Sequence, residues 1–500
     1  MANTSLKRLL SDSVIYGLSS IVGRFLNYLL VPLYTYKIAA STGGYGVVTN
    51  IYAYTALLLV LLTFGMETTF FYFANKKEHD ARRVFSTALS AVGSVAALFV
   101  ALVFIFIGPV SGLLGYSDHP EYIEVMACVV AIDAFQAILF APLRFAGRAW
   151  EFAFLKLLFI FCNIGLNLFV FLAAPQLAET HPSLMGWYQA DYQVGYVFII
   201  NLVCTAAVTL GFIPELRNLR FGVDFTLLKQ MLKYTWPLLL LGLMGILNQV
   251  ADKICFRFLV PGQEGDVQLG IYGACVKIAM IMAMITQAFR YAYEPFVFAG
   301  GSGKESKESQ ALVMKYFVMF TLLAFLTVMA YMDILRYIIK SDYWEGLRAV
   351  PIVMMAEIFM GIYFNLSFWY KLIGKTWWGA VMSAIGCVAL LAVNIIFVPR
   401  CGYMACAWGG FVGYGVCMVL SYFIGQHHNP VPYPVKSIVG YFAIAMLLFA
   451  AMQLLPIKST AWRLLANTLL LAAYAAFALY NERALTRRVA ERIKVRLRRR

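Results

Sequence analysis

Apolar runs of about 20 to 30 residues, far longer than a buried soluble helix needs, recur along the whole chain and are separated by short polar or Gly/Pro-containing breaks such as Gly300 to Gly303. Fourteen helices are predicted: 12–36, 45–73, 84–110, 120–143, 150–174, 187–212, 234–258, 268–297, 312–335, 345–370, 376–398, 402–425, 436–456 and 460–481. Each is long enough to cross a bilayer, where a helix satisfies its own backbone hydrogen bonds. The fold class is therefore all-α and polytopic, with about 14 transmembrane helices. Pro295 is expected to break helix 8. The first run is long, contains Arg24 and lacks a small-residue cleavage site, so it reads as a span and not a removable signal peptide.

The pattern repeats. Ser117, Asp118, Glu121 and Asp133 fall on Ser341, Asp342, Glu345 and Glu357 at an offset of 224 residues, and Gly46 falls on Gly270 at the same offset. Gly147-Arg148-Ala149-Trp150 returns as Gly374-Lys375-Thr376-Trp377, and Asn27 pairs less securely with Asn248. Six spans separate the partners. Because six is even, both copies enter the membrane in the same direction, giving parallel six-helix lobes related by a pseudo-two-fold axis along the membrane normal around a central cavity. The predicted lobes are 1–218 and 219–428, followed by helices 13 and 14 (429–482) and a basic tail (483–500).

Composition agrees: 500 residues are 62% hydrophobic and 13% charged. Of the 40 Lys and Arg, 27 fall on one side of the spans and six on the other (Lys37, Arg336, Lys340, Arg400, Lys458 and Arg463). Both termini are thus expected in the cytoplasm. The net charge of +15 then reports topology and attraction of the tail to anionic lipid, without nucleic acid. The nine cysteines show no metal spacing and read as packing residues, and the five histidines lie between the apolar runs. The external segments 111–119, 175–186 and 259–267, each about a dozen residues or fewer, leave no room for a catalytic domain, and no P-loop is present. No enzyme activity, cofactor or metal is expected.

The chain resembles the multidrug/oligosaccharidyl-lipid/polysaccharide exporter superfamily, and within it the polysaccharide transporter or O-antigen flippase-like branch. The residues that carry this are Gly43-Gly44-Tyr45-Gly46, the run Phe64-Gly65-Met66-Glu67-Thr68-Thr69, and the twice-used Gly-basic-x-Trp turn. The resemblance implies alternating access without ATP and movement of an undecaprenyl-diphosphate-linked oligosaccharide from the inner to the outer leaflet of a bacterial cytoplasmic membrane. It also implies membrane lipids, H⁺ or Na⁺, and glycan polymerases and glycosyltransferases as partners. In the lipid II flippase branch, helices 13 and 14 shape a groove for the lipid tail.

An anionic, hydrated headgroup needs cationic partners in a wet cavity. Arg24, halfway along helix 1 on a stripe with Asn27, is the first candidate; it contacts phosphate or pairs with Asp133 or Glu357. Lys277, Gln287, Arg290 and Tyr291 form a second stripe on helix 8 with Glu294, for which the i,i+4 pairing of Arg290 and Glu294 is the plainer account. Asp133 and Glu357 are pseudo-symmetric carboxylates that either carry the coupling ion or neutralise cations. Glu67 lines a lobe or is solvated at the interface, and Asp252 shares a face with Asn248, while Lys253 and Arg257 are expected to snorkel. Tyr54, Tyr188, Tyr291 and Tyr363 are candidate sugar platforms. A multidrug or organic-cation antiporter, a lipid II-type flippase and a non-transporting scaffold for glycan assembly are the alternatives.

Overall fold

The computed structural model describes residues 26, 28–76, 78–183, 185–217, 222–300 and 303–483. Among them every regular element is helical and 13 helices are long and apolar enough to span a membrane. They are helix 2 (Gly44–Ala74), helix 3 (Ala81–Ile105), helix 4 (Pro120–Phe145), helix 5 (Ala149–Thr180), helix 6 (Gln193–Leu210) and helix 7 (Phe225–Leu259). Then come helix 8 (Gln263–Gly300), helix 9 (Lys304–Ala330), helix 10 (Ser341–Leu372), helix 11 (Trp377–Cys401), helix 12 (Met404–His428), helix 13 (Val435–Leu454) and helix 14 (Thr460–Asn481). Of the expected helix 1, Leu30–Lys37 is described as helix.

Two differences from the predicted pattern have local causes. Helix 8 continues unbroken through position 295 to Gly300. A proline removes one backbone donor, and near the end of a span the freed carbonyl can be met by water. Helix 2 is instead interrupted at Phe64 (φ 49°) and Gly65 (φ 66°), both left-handed. Thr235 of helix 7 donates its hydroxyl to the Phe64 carbonyl at 2.6 Å, which satisfies an acceptor freed by the break.

The chain forms two compact units. The first holds 1–277, 339–349 and 375–417, and the second holds 278–338, 350–374 and 418–500. In the first, helix 7 packs along helix 11 and against helix 2, and helix 4 lies against helices 2, 3 and 6. Its cores centre on Phe70, Leu89, Ile138 and Phe212, and on Tyr122, Val129, Val197 and Phe198. Since lipid tails are as apolar as leucine, close backbone approach and buried hydrogen bonds hold such helices together. Gly386 and Gly413 bring helices 11 and 12 together, and Asn248 donates to the Ser383 carbonyl at 2.7 Å. In the second unit helix 9 packs against helices 10, 13 and 14. Gly361 lies against Phe317, and Trp369 donates to Ser421 at 3.2 Å.

The repeat has structural counterparts. Gly147 (φ 68°) and Gly374 (φ 72°) are both left-handed, so the Gly-basic-x-Trp turn is built the same way twice. Gly46 and Gly270 meet: a Cβ on Gly270 would lie 3.0 Å from the Gly46 amide nitrogen, and one on Gly46 would overlap the Asp266 carbonyl. Helices 2 and 8 therefore touch backbone to backbone where they begin.

Candidate functional site

Around that glycine contact the first unit carries a polar network. Arg257, near the end of helix 7, pairs with Asp266 at 2.9 Å, donates to the Gly115 carbonyl at 2.6 Å, and lies 3.7 Å from the centre of the Tyr116 ring. Tyr116 donates to the Asn50 side-chain oxygen at 2.8 Å, and the Asn50 amide donates to the Lys253 carbonyl at 2.7 Å. One step along helix 7, Asp252 accepts from Lys253 at 3.0 Å and from the Tyr272 hydroxyl at 3.0 Å. The network ties helices 2, 7 and 8 to the segment before helix 4. Lys253 and Arg257, expected to snorkel, each have a carboxylate partner near the end of helix 7. Lys253 makes a charge-assisted bond to Asp252, and Arg257 has the Asp266 carboxylate at ion-pair distance.

Deeper in the same unit, Lys277 is fourteen residues from the start of helix 8, about 21 Å along its axis, and is half-buried. Among the described residues its ammonium has no hydrogen bond or ion pair, and Lys253 repels it. Asp133 lies at a similar depth in helix 4. It has no direct ion pair among the described residues; Lys156 attracts it while sitting over the Phe140 ring at 4.1 Å. Glu67 forms an ion pair with Arg144, whose guanidinium lies over Phe71 at 5.1 Å.

In the second unit, Arg290 and Glu294 of helix 8 pair at 3.4 Å, and Lys371 at the end of helix 10 reaches the other oxygen of Glu294 at 3.2 Å. Arg290 also lies over Phe364 at 4.6 Å. Gln287 donates to the Tyr291 hydroxyl at 3.1 Å, and Tyr291 is half-exposed. Glu357 is half-buried in helix 10. Tyr363 is buried with its hydroxyl 3.5 Å from that of Tyr370, and Tyr188 is stacked on Tyr196, so both rings are already used in packing. Arg24 and Asn27, and with them the Asn27–Asn248 pairing, lie outside the described residues.

Of the stripe predicted on helix 8, Arg290 pairs with Glu294 and Gln287 with Tyr291, whereas Asn50, Tyr116, Asp266 and Lys371 belong to no predicted cluster. Asp266 falls between the predicted spans 234–258 and 268–297, and Lys371 just past the span 345–370. Their spacing held no helical period to a partner, so no signal in one sequence could have joined them.

No family profile matches the sequence, and no curated protein sequence does. Solved structures do. The lipid II flippase MurJ in an inward closed conformation superposes with TM-score 0.70 at 12% identity, covering 94% of this chain and 99% of that one. An inward-facing multidrug resistance MATE family transporter of the MOP superfamily gives 0.59 at 14% identity over 81% and 94% of the two chains, and a MATE in the straight conformation gives 0.54 at 17% over 84% and 95%. At such identities the likeness is one of fold: the chain is a multi-pass membrane protein with the architecture of MurJ and the MATE transporters of the MOP superfamily.

Proposed function

We propose that the chain is a flippase that moves a lipid-linked oligosaccharide, carried on an undecaprenyl diphosphate, from the inner to the outer leaflet of a bacterial cytoplasmic membrane. The observation that carries this reading is the state of the charges deep in the described helices. Asp252 and Glu67 already have cations, whereas among the described residues the Lys277 ammonium, deep in helix 8, has no counter-charge. Desolvating an unmatched cation is costly, so the arrangement favours a transported anion over the organic cation that an antiporter would take. Arg24 and Asn27 supply further contacts from helix 1, and Gln287, Arg290 and Tyr291 from helix 8.

Transport proceeds by alternating access of two six-helix halves, 1–218 and 219–428, with both termini in the cytoplasm. The network of Arg257, Asp266, Asn50 and Tyr116 then closes the periplasmic end. Asp133 and Glu357 either couple transport to H⁺ or Na⁺ or neutralise cations within the fold. Helices 13 and 14 (429–482) accommodate lipid, and the basic tail (483–500) rests on the cytoplasmic leaflet, where polymerases and glycosyltransferases of glycan assembly meet the substrate. A lipid II-type substrate is the second reading, favoured by the likeness to MurJ.

Deleting the gene tests the assignment. A flippase of this kind leaves surface polysaccharide absent and lipid-linked repeat units accumulated on the cytoplasmic side. Drug sensitivity with intact glycan would assign the antiporter instead, and an intact glycan rescued by a charge-neutral Arg24 variant would assign the scaffold.

A further inference from the structure

Helices 8 and 10 enclose a small pocket within the second unit, lined among others by Thr286, Arg290, Phe364, Asn365 and Lys371. It offers about 10 Å³ to the centre of a water molecule, the room of one water or one hydroxyl group. Two of its walls are polar, buried and unmet. Thr286 is 3% exposed with no partner for its hydroxyl, and Asn365 is 6% exposed. The Asn365 amide nitrogen donates to the Gly361 carbonyl at 3.1 Å, which leaves its side-chain oxygen with no donor. Both side chains line this water-sized pocket, so a water or hydroxyl group held there would meet the Thr286 hydroxyl or the Asn365 oxygen.

Beside the pocket, two cations share one carboxylate. Glu294 takes Arg290 at 3.4 Å and Lys371 at 3.2 Å, both longer than the 2.7 to 2.9 Å of a tight charge-assisted bond. The Arg290 guanidinium lies over Phe364 at 4.6 Å and the Lys371 ammonium over Phe368 at 4.8 Å. Both cations are therefore placed by aromatic faces as much as by Glu294. The carboxylate is about one-third exposed and the cluster keeps one net positive charge.

We propose that Glu294 is a resident stand-in anion, which a phosphate ester displaces from Arg290 and Lys371, while a water or hydroxyl group of the ligand enters between Thr286 and Asn365. A phosphate offers a guanidinium two oxygens and an ammonium a third, with more charge than a carboxylate. The exchange rests on the anionic substrate of the proposed function and adds where its phosphate is first held: Lys371 belongs to the basic-rich side of the spans, where the donor leaflet lies in that reading. Release of the phosphate then returns Glu294 to its cations, so the empty carrier does not carry two unmatched charges.

Binding to the purified full chain in phosphatidylcholine nanodiscs tests this, with inorganic pyrophosphate and farnesyl diphosphate as probes. Glu294→Gln removes the competitor and is expected to tighten both probes about tenfold, whereas Lys371→Ala and Arg290→Ala weaken both about tenfold or more. Equal affinity for the two probes assigns the site to the free phosphate group, and tighter binding of farnesyl diphosphate with the same response to Glu294→Gln assigns it to a lipid headgroup; either supports the proposal. Unchanged affinity in Glu294→Gln with its melting temperature retained overturns it, as does farnesyl diphosphate binding that pyrophosphate does not compete with. Should Glu294→Gln fail to fold, Lys371→Gln reads the same site by loss of affinity, and unchanged affinity there overturns the proposal. Because the readout is binding and not flipping, a failure here leaves the proposed function standing.

Discussion

Arg257 and Asp266 are each little more than a tenth exposed, so their attraction is weakly screened and each depends on the other. Removing one partner of such a pair leaves a desolvated charge and costs about 3 kcal/mol or more. Asp266→Asn should therefore lower the melting temperature in detergent markedly. The double variant Arg257→Gln/Asp266→Asn should recover part of that loss, since it removes both charges; strictly additive losses would show that the two side chains do not act as a pair. A second contact makes a pH-dependent prediction. Glu482, just beyond helix 14, accepts from Lys315 at 2.6 Å, Tyr316 at 3.0 Å and Tyr441 at 3.1 Å. Burial pushes its carboxyl up, but Lys315 and the tyrosine hydroxyls outweigh burial and hold it below the usual glutamate range. A depressed folded value means stability that is present above the unfolded value of about 4.3 and lost as pH falls through the folded one. Melting curves of the wild type and Glu482→Gln should thus differ at pH 7 and draw together as pH falls below the usual glutamate range; a gap that does not narrow on acidification contradicts the ion pair. Neither contact was legible in the sequence, since the partners are separated by 167 residues in one case and divided between a helix and an apparent loop in the other.

Helices are where the sequence spoke most clearly, because a bilayer demands about 20 apolar residues in a row and punishes any break. Helices 2 to 14 lie where the apolar runs place them, and the twice-used Gly-basic-x-Trp turn proves to need a left-handed glycine each time. The break in helix 2 escaped, since Phe64-Gly65 is as apolar as its neighbours and the side chain that stabilises it, Thr235, comes from helix 7. Gly65→Ala should be costly for two reasons: its left-handed φ disfavours a Cβ by about 1 kcal/mol, and that Cβ would sit 2.7 Å from the Thr235 hydroxyl. Gly46→Ala should likewise lower the melting temperature by pushing on the Asp266 backbone, while Gly165→Ala, with nothing within 4 Å of the added carbon, should leave it unchanged or slightly raised. Equal melting temperatures for Gly46→Ala and Gly165→Ala would mean that helices 2 and 8 are not in contact where they begin.

For the whole molecule, the predicted topology divides the charges into many that lie between the spans and few that remain inside them. That division could be read from order alone; which of the few are matched could not, because matching depends on neighbours brought together by folding. Asp252 and Lys253 neutralise each other, as do Glu67 and Arg144, and Lys277 stands apart from both pairs. In this account Lys277→Ala keeps the protein in the membrane and abolishes transport, and Lys277→Arg retains much of it. If Asp133 and Glu357 couple transport to ions, flipping in proteoliposomes slows severalfold when proton and sodium gradients are both collapsed; an unchanged rate would remove that role from both. The most direct test of the central claim is the fraction of lipid-linked oligosaccharide exposed on the outer face of the cytoplasmic membrane in cells depleted of the protein. The account predicts that this fraction collapses on depletion, returns with the wild-type chain and does not return with Lys277→Ala. An outer-face fraction that is unaffected by depletion would contradict it.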